Sequence, residues 1–170
     1  MSRTFLGEDK EYEATMKLGE RTDSGDCAGK VISNRTAAIT KEDVTRAIAL
    51  FEGEIEQTPP MVSAKHVNGK RLYALARKGI EIEREPNKVH VKEIRSTKMN
   101  LPFVDIKIVC SKGTYIRQLA DDIGEKLGCG AHLTELRRTR SGAFSLKDAV
   151  RFSALDKMKK EDLDGNIIRV

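Results

Sequence analysis

The chain has 170 residues, a formal charge of +5 and a sequence pI of about 9.1. That length predicts one domain burying roughly 70% of its unfolded surface, and no apolar run is long enough to span a bilayer. Three cysteines, Cys27, Cys110 and Cys129, are too few and too widely spaced for a disulfide framework or a CxxC metal site, which points to a reducing cytoplasm. The basic balance favours acidic partners such as nucleic acid. Glu8 and Asp9 interrupt the N-terminus before any signal-peptide core forms.

In chain order, Tyr12, Ala14, Met16 and Leu18 alternate with Glu11, Glu13, Thr15 and Lys17, the period of a half-buried strand. Arg21 to Asp26 reads as a polar turn; its Asp and Ser spacing lacks the closing ligands of a calcium loop. Lys30-Val31-Ile32 predicts a short strand. Thr40 caps a predicted helix from Lys41 to about Phe51 with Val44, Ala47, Ile48 and Phe51 on its apolar face. Pro59 and Pro60 forbid helix in the next stretch, and Asn68-Gly69 predicts a tight turn. Lys65, His66, Lys70 and Arg71 around that turn form a basic finger suited to nucleic-acid backbone, or simply a solvated hairpin tip. His66 has no second His or Cys at metal spacing.

Leu72, Leu75 and Ala76 predict a short helix ended by Gly79, with Tyr73 on its flank. Ile80 to Glu85 reads as an edge strand. A strand beginning at Val89 and Val91 turns near Asn100-Leu101-Pro102 and pairs with Phe103 to Cys110. Gly130 to Arg140 reads as a strand with a basic end, followed by a turn at Ser141-Gly142. Ser153 caps a predicted last helix through Met158, and Lys157 to Asp164 reads as a frayed tail. Strands outnumber helices, so the class is α+β: a mixed, mostly antiparallel sheet with flanking helices.

The densest chemistry lies in Cys110-Ser111-Lys112-Gly113-Thr114-Tyr115-Ile116-Arg117, between a strand and a helix. Ile116, Leu119, Ala120, Ile123 and Leu127 give the helix its apolar face and Gly128 its stop. Thr114 is the expected N-cap. Lys112, Tyr115 and Arg117 would then meet at a helix N-terminus, which favours anions. A ring beside two cations suits a nucleotide; the residues alone equally allow a capped turn with surface cations.

Taken together, several segments resemble the bacterial tRNA pseudouridine-55 synthases, the TruB family. They are Lys10-Glu11-Tyr12, Leu18 to Asp26, Gln57 to Tyr73, Cys110 to Arg117, Asp121-Asp122-Ile123-Gly124, Leu127 to Leu133 and Arg137-Arg138, in the family's order. The resemblance runs to about residue 157 and implies the pseudouridine synthase fold. It also implies isomerisation of uridine to pseudouridine in the T-loop of tRNA, by base flipping and an Asp carboxylate, without metal or organic cofactor. The implied partner is the tRNA T-stem-loop; no membrane is implied.

By resemblance, Tyr115 is the second active-site tyrosine and Arg117 the arginine that pairs with the catalytic aspartate. Tyr12 packs on the target base, Leu136 lines its pocket and Lys112 lies near the RNA backbone. Lys65, Lys70, Arg71, Arg137 and Arg138 are the candidate phosphate contacts. The family's Leu-Asp-Pro motif does not occur in this sequence. The reading is therefore a partial catalytic domain over residues 1–170, without the nucleophile and without the family's small C-terminal RNA-binding domain. Expected consequences are an Arg117 without its carboxylate, an inactive isolated chain, and an exposed sheet edge that favours self-association. The alternative is a non-catalytic module that binds or folds tRNA.

Overall fold

The computed structural model describes residues 7–63, 65–67, 70–159 and 161. Alternating apolar residues build its sheet. In β1 (Lys10–Leu18), Ala14, Met16 and Leu18 are buried. In β8 (Phe103–Cys110), Val104, Ile106, Ile108 and Cys110 are buried while the residues between them face out. β1 pairs antiparallel with β8 on one side and with β9 (Ala131–Ser141) on the other. The full order is β10-β9-β1-β8-β7-β4, with β4 spanning Gly53–Gln57, β7 Asn87–Asn100 and β10 Phe144–Ser145. Every strand pair in this six-stranded sheet is antiparallel; one parallel bridge joins Asp26 to Leu133. The expected α+β class holds.

Two helices cover one face. The first, α1 (Lys41–Ala49), begins with a capping box in which Thr40 and Asp43 bond reciprocally. These bonds, with Arg46, pull the Asp43 pKa down to about 2. α1 buries Val44, Ala47 and Ile48 against β7. Between it and the central helix lies α2 (Leu72–Ala76), a short helix that buries only Leu72. The central helix, α3 (Ile116–Lys126), buries Ile116, Leu119, Ala120 and Ile123 mainly over β9. Burying each of the Ile and Leu side chains contributes about 1.5–3 kcal/mol. On the open face, Thr15 bonds Asp105 at 2.7 Å and Lys107 pairs with Glu11 at 3.2 Å.

Smaller elements complete the chain: β2 (Glu20–Thr22) with β3 (Val31–Asn34), and β5 (His66–Val67) with β6 (Lys70–Arg71). The predicted turn residues Asn68 and Gly69 lie outside the described residues, as do Met1 to Leu6 and half of the predicted tail.

Three expectations are corrected. Ile80 to Glu85 is not a strand: Arg84 turns back to Pro59 and Glu81 instead of joining a ladder. Thr114 does not cap α3. Its hydroxyl donates to the Ser111 carbonyl at 3.0 Å, closing the turn, and Tyr115 takes the cap position without a side-chain bond. Ser153 lies inside the last helix, α4 (Phe152–Leu155), whose N-cap is Arg151.

Gly124 sets the spacing of α3 against β9. A Cβ built there would lie 2.2 Å from the Ala131 nitrogen and 2.3 Å from the Gly130 carbonyl carbon, both backbone atoms that cannot step aside. Helix propensity alone predicts that Gly124→Ala stabilises by about 1 kcal/mol. Packing reverses the sign, and a loss of about 1–3 kcal/mol is expected in urea denaturation. A gain would show that the helix and strand are not in this close contact.

Candidate functional site

The site gathers at the amino end of α3, where the edge strand, the loop after β2 and the irregular stretch after Pro60 converge. Gln57, the last residue of β4, is only 1% exposed. Its Oε1 accepts the Tyr115 N–H at 2.7 Å and its Nε2 donates to the Tyr115 carbonyl at 3.1 Å. One amide side chain thus satisfies both backbone groups of the residue that begins the helix. It also removes the Tyr115 N–H from the set of helix donors expected to face an anion.

Arg117, one residue inside α3, is held three ways. Nη1 donates to Asp26 Oδ2 at 2.9 Å and to the Ser24 carbonyl at 3.3 Å; Nη2 donates to the Val62 carbonyl at 2.8 Å. The expectation that Arg117 lacks a carboxylate is corrected: Asp26 supplies it. Gly25 makes the approach feasible. It has φ +73°, and an added Cβ would come within 3.3 Å of the Arg117 Cβ. The loop is pinned from its other side by the Leu133 N–H, which donates to the Gly25 carbonyl at 3.0 Å.

Asp26 is fully committed. Oδ1 accepts from the Ser24 hydroxyl at 2.6 Å and from the Ala28 N–H at 3.1 Å, while Oδ2 takes Arg117. Burial alone would raise its pKa; the Ser24 hydroxyl, the Ala28 amide and the Arg117 guanidinium outweigh it and hold the carboxyl below the ordinary value. Arg21 is paired nearby with Asp121 at 2.7 and 2.8 Å. The cavity beside Arg117, about 290 Å³, is lined by Arg21, Arg84 and Arg117 but also by Asp23, Glu81 and Asp121. Its charges are balanced.

Lys112 does not share that cavity. It lines a second one of about 590 Å³ with Tyr12, Lys10, Lys88 and Arg138. Tyr12 stands opposite Arg138 in the β1–β9 ladder, and Arg138 reaches its hydroxyl. Burial, with the Cys110 thiol adding to it, pushes the Tyr12 phenol pKa up despite Arg138, so the ring stays neutral. The predicted cluster of Lys112, Tyr115 and Arg117 is thus divided by the strand-to-helix junction.

The other predicted residues scatter around this junction. Leu136 stands opposite Ala14, two positions along β9 from Arg138, and remains 48% exposed. Arg137 is exposed opposite Glu13. Lys65 donates to Asn87 Oδ1 at 2.8 Å, at the rim of the Tyr12 cavity. Arg71 and Arg77 both lie over the Tyr73 ring, 5.9 and 5.5 Å from its centroid. The side chains of His66 and Lys70 lie outside the described residues. Sequence pattern does not mark Asp26, Gln57, Lys10 and Lys88 as site residues, although Asp26 and Gln57 stand within the family-like segments. Among the described residues no group of His, Cys, Asp or Glu is arranged to hold a metal.

Comparison with known proteins places this geometry in a family. The TruB family pseudouridylate synthase N-terminal domain matches residues 1–116, and the tRNA pseudouridylate synthase B C-terminal domain matches residues 117–169. The chain therefore belongs to the TruB family of pseudouridylate synthases. It is 48% identical over 169 residues to the tRNA pseudouridine synthase B of Protochlamydia amoebophila, covering 99% of this chain and 63% of that protein. It is 49% identical over 156 residues to the Chlamydia abortus enzyme of the same name, covering 92% and 66%, and 45% identical over 174 residues to that of Chlamydia felis, covering 99% and 74%. The chain thus spans roughly two thirds of the length of these relatives.

Among solved structures, a Cbf5-Nop10-Gar1 complex matches with TM-score 0.67 at 28% identity, over 91% of this chain and 37% of that one. An H/ACA RNP bound to a substrate RNA containing 2'-deoxyuridine shares the fold at TM-score 0.62 and 24% identity, over 93% and 39%. The boundary between the two family segments falls at Ile116–Arg117, inside the site. Strands from both segments lie in one sheet.

Because Asp26 carries a depressed pKa, its contribution is complete above the ordinary carboxylate value of about 4. It is lost as the pH falls through the lower folded value. At neutral pH, Asp26→Asn is expected to cost about 1–3 kcal/mol. The difference from the parent chain closes on acidification. Urea midpoints of both proteins across the acid range check this; a gap independent of pH would mean that the carboxylate charge is not what binds the loop.

Proposed function

We propose that this chain acts in a tRNA pseudouridine-55 synthase, as the larger part of its catalytic unit, on the T-stem-loop of tRNA. The observation that carries the reading is the amino end of α3, where Gln57 fixes Tyr115 and Asp26 fixes Arg117, across the strand-to-helix junction from the Tyr12 cavity. Uridine becomes pseudouridine when the bond from ribose C1′ to N1 breaks, the freed uracil turns, and C1′ bonds to C5. The C5 proton leaves and N1 gains one, so substrate and product are isomers. The base must first leave its stack, at a cost of a few kcal/mol. Stacking on Tyr12 returns about 1–3 kcal/mol of that, and its neutral phenol suits contact with an uncharged base.

Detaching the base requires a free carboxylate, and Asp26 does not qualify, since both its oxygens are engaged. Arg117 presents a guanidinium already held in place, ready to orient a second carboxylate. On this reading the acid comes from a Leu-Asp-Pro segment that the 170 residues do not contain, and the isolated chain binds RNA without turning it over. Its three free thiols fit the cytoplasm, where tRNA is modified. The test is pseudouridine formation on unmodified tRNA by the chain alone and by the chain extended with a family Leu-Asp-Pro segment. Activity only with the extension is expected. Activity of the chain alone would assign the chemistry to a carboxylate already present.

The free edge of β9 supports a second part of the proposal, self-association. Among the described residues β10 pairs only with Ser141 and Arg140, which leaves Glu135 to Thr139 unpaired on that side. Antiparallel pairing of two copies about Leu136 sets Leu136 against Leu136 and Glu135 against Arg137 twice, a complementary register. Sedimentation is expected to show a concentration-dependent dimer that Leu136→Lys abolishes. A chain that stays monomeric at every concentration would overturn this.

A further inference from the structure

We propose that the cavity around Tyr12 is a phosphodiester cradle, in which Lys88 and Lys112 hold the backbone next to the everted nucleotide. The inference rests on the RNA-substrate reading above and assigns roles within it.

Its first support is charge. Four cations elsewhere on this sheet are neutralised: Lys107 by Glu11, Lys92 by Asp9, Lys17 by Glu20, Arg95 by Glu93. The Tyr12 cavity is lined by Lys10, Lys88, Lys112 and Arg138, and by no carboxylate. Among the described residues no carboxylate pairs with Lys88 or Lys112, although Glu56 is the cross-strand neighbour of Lys88. Gathering like charges costs stability, and an anion bound among them reverses the sign of that term. The Arg117 cavity, with as many acids as bases, offers an anion no such gain.

The second support is construction. The cations come from separate parts of the chain: Lys10 from β1, Lys88 from β7, Arg138 from β9 and Lys112 from the turn before α3. The turn is tied to β7. The Ser111 N–H donates to the His90 carbonyl at 2.8 Å, and the His90 N–H donates to Ser111 Oγ at 2.9 Å. That double bond of strand to turn brings Lys112 to the cavity that Lys88 also lines. Lys65, bonded to Asn87, stands at the same rim.

The third support is shape. About 590 Å³ lies within the range of small-ligand sites and accommodates a nucleotide. Tyr12 lines it, and an aromatic ring is a platform on which any base can stack. A ring with two ammonium groups binds a nucleotide by its charge and its π-face without reading its identity, so Lys88 and Lys112 set affinity and register, not base choice.

The experiment is fluorescence anisotropy of a labelled T-stem-loop RNA with the whole chain, across a potassium chloride series. The variants are Lys88→Gln, Lys112→Gln, the double variant, Lys88→Arg, and Lys126→Gln at the opposite end of α3. Each glutamine at Lys88 or Lys112 is expected to flatten the log–log salt dependence by about 0.7–0.9. Low-salt affinity is expected to fall several-fold, with the double variant showing both effects. Lys88→Arg keeps the parental slope, and so does Lys126→Gln. If the parent chain binds and the glutamine variants keep its slope, the cradle is refuted while the RNA reading stands. If the parent chain fails to bind at low salt, both are refuted.

Discussion

The structure depends on how one buried amide fastens the end of one helix. Gln57 closes two hydrogen bonds on the backbone of Tyr115, and that clasp joins the outermost strand of the sheet to the amino end of α3. A helix end packed in a protein interior must find partners for its first donors. Here the partner is a side chain from β4, a strand separated from α3 by the whole width of β7 and β8 in sequence. With Tyr115 fixed, Arg117 reaches the loop after β2, where Asp26 and Ser24 receive it, and the Val62 carbonyl in the stretch after Pro60. Gly124, a few residues on, sets the depth at which the same helix sinks onto β9. The site inherits its position from these contacts.

The second consequence is a division of charge. The junction between β8 and α3 is a wall with a cavity on either side. On one side the arginines are matched by carboxylates, which makes a rigid, pre-paired scaffold. On the other side Lys88 and Lys112 flank a tyrosine, and among the described residues no carboxylate pairs with either. Rigid pairing suits a group that must orient a reacting carboxylate, because a guanidinium already held loses little freedom when it acts. Lys88 and Lys112 suit a polyanion, because its phosphates supply the counter-charge that no neighbouring carboxylate gives them. The same short motif supplies a residue to each side.

Much of this was legible in the sequence. The strand periods of Tyr12 to Leu18 and Val104 to Cys110, the Thr40 cap, the apolar face of α3 and the basic end of β9 all appear where local pattern places them. These are properties of neighbouring residues, and side-chain alternation and capping act over a few positions. The family was legible too, because ordered motifs survive in linear form. The false strand at Ile80 to Glu85 is a local signal that a tertiary contact overrode, and the misplaced cap at Thr114 lost to a competing local bond that closes the turn.

Sequence by itself therefore determined the class of fold, the helix and strand that meet at the site, and the residues Tyr12, Tyr115 and Arg117 as candidates. Only the tertiary structure decided that Asp26 pairs with Arg117 across 91 positions, that Gln57 serves Tyr115 across 58, and that Lys112 belongs with Lys88 and not with Arg117. The physical reason is that ion pairing and burial depend on distance in space. An Asp in a polar turn and a Gln before two prolines carry no mark in one dimension of the partners that folding brings to them.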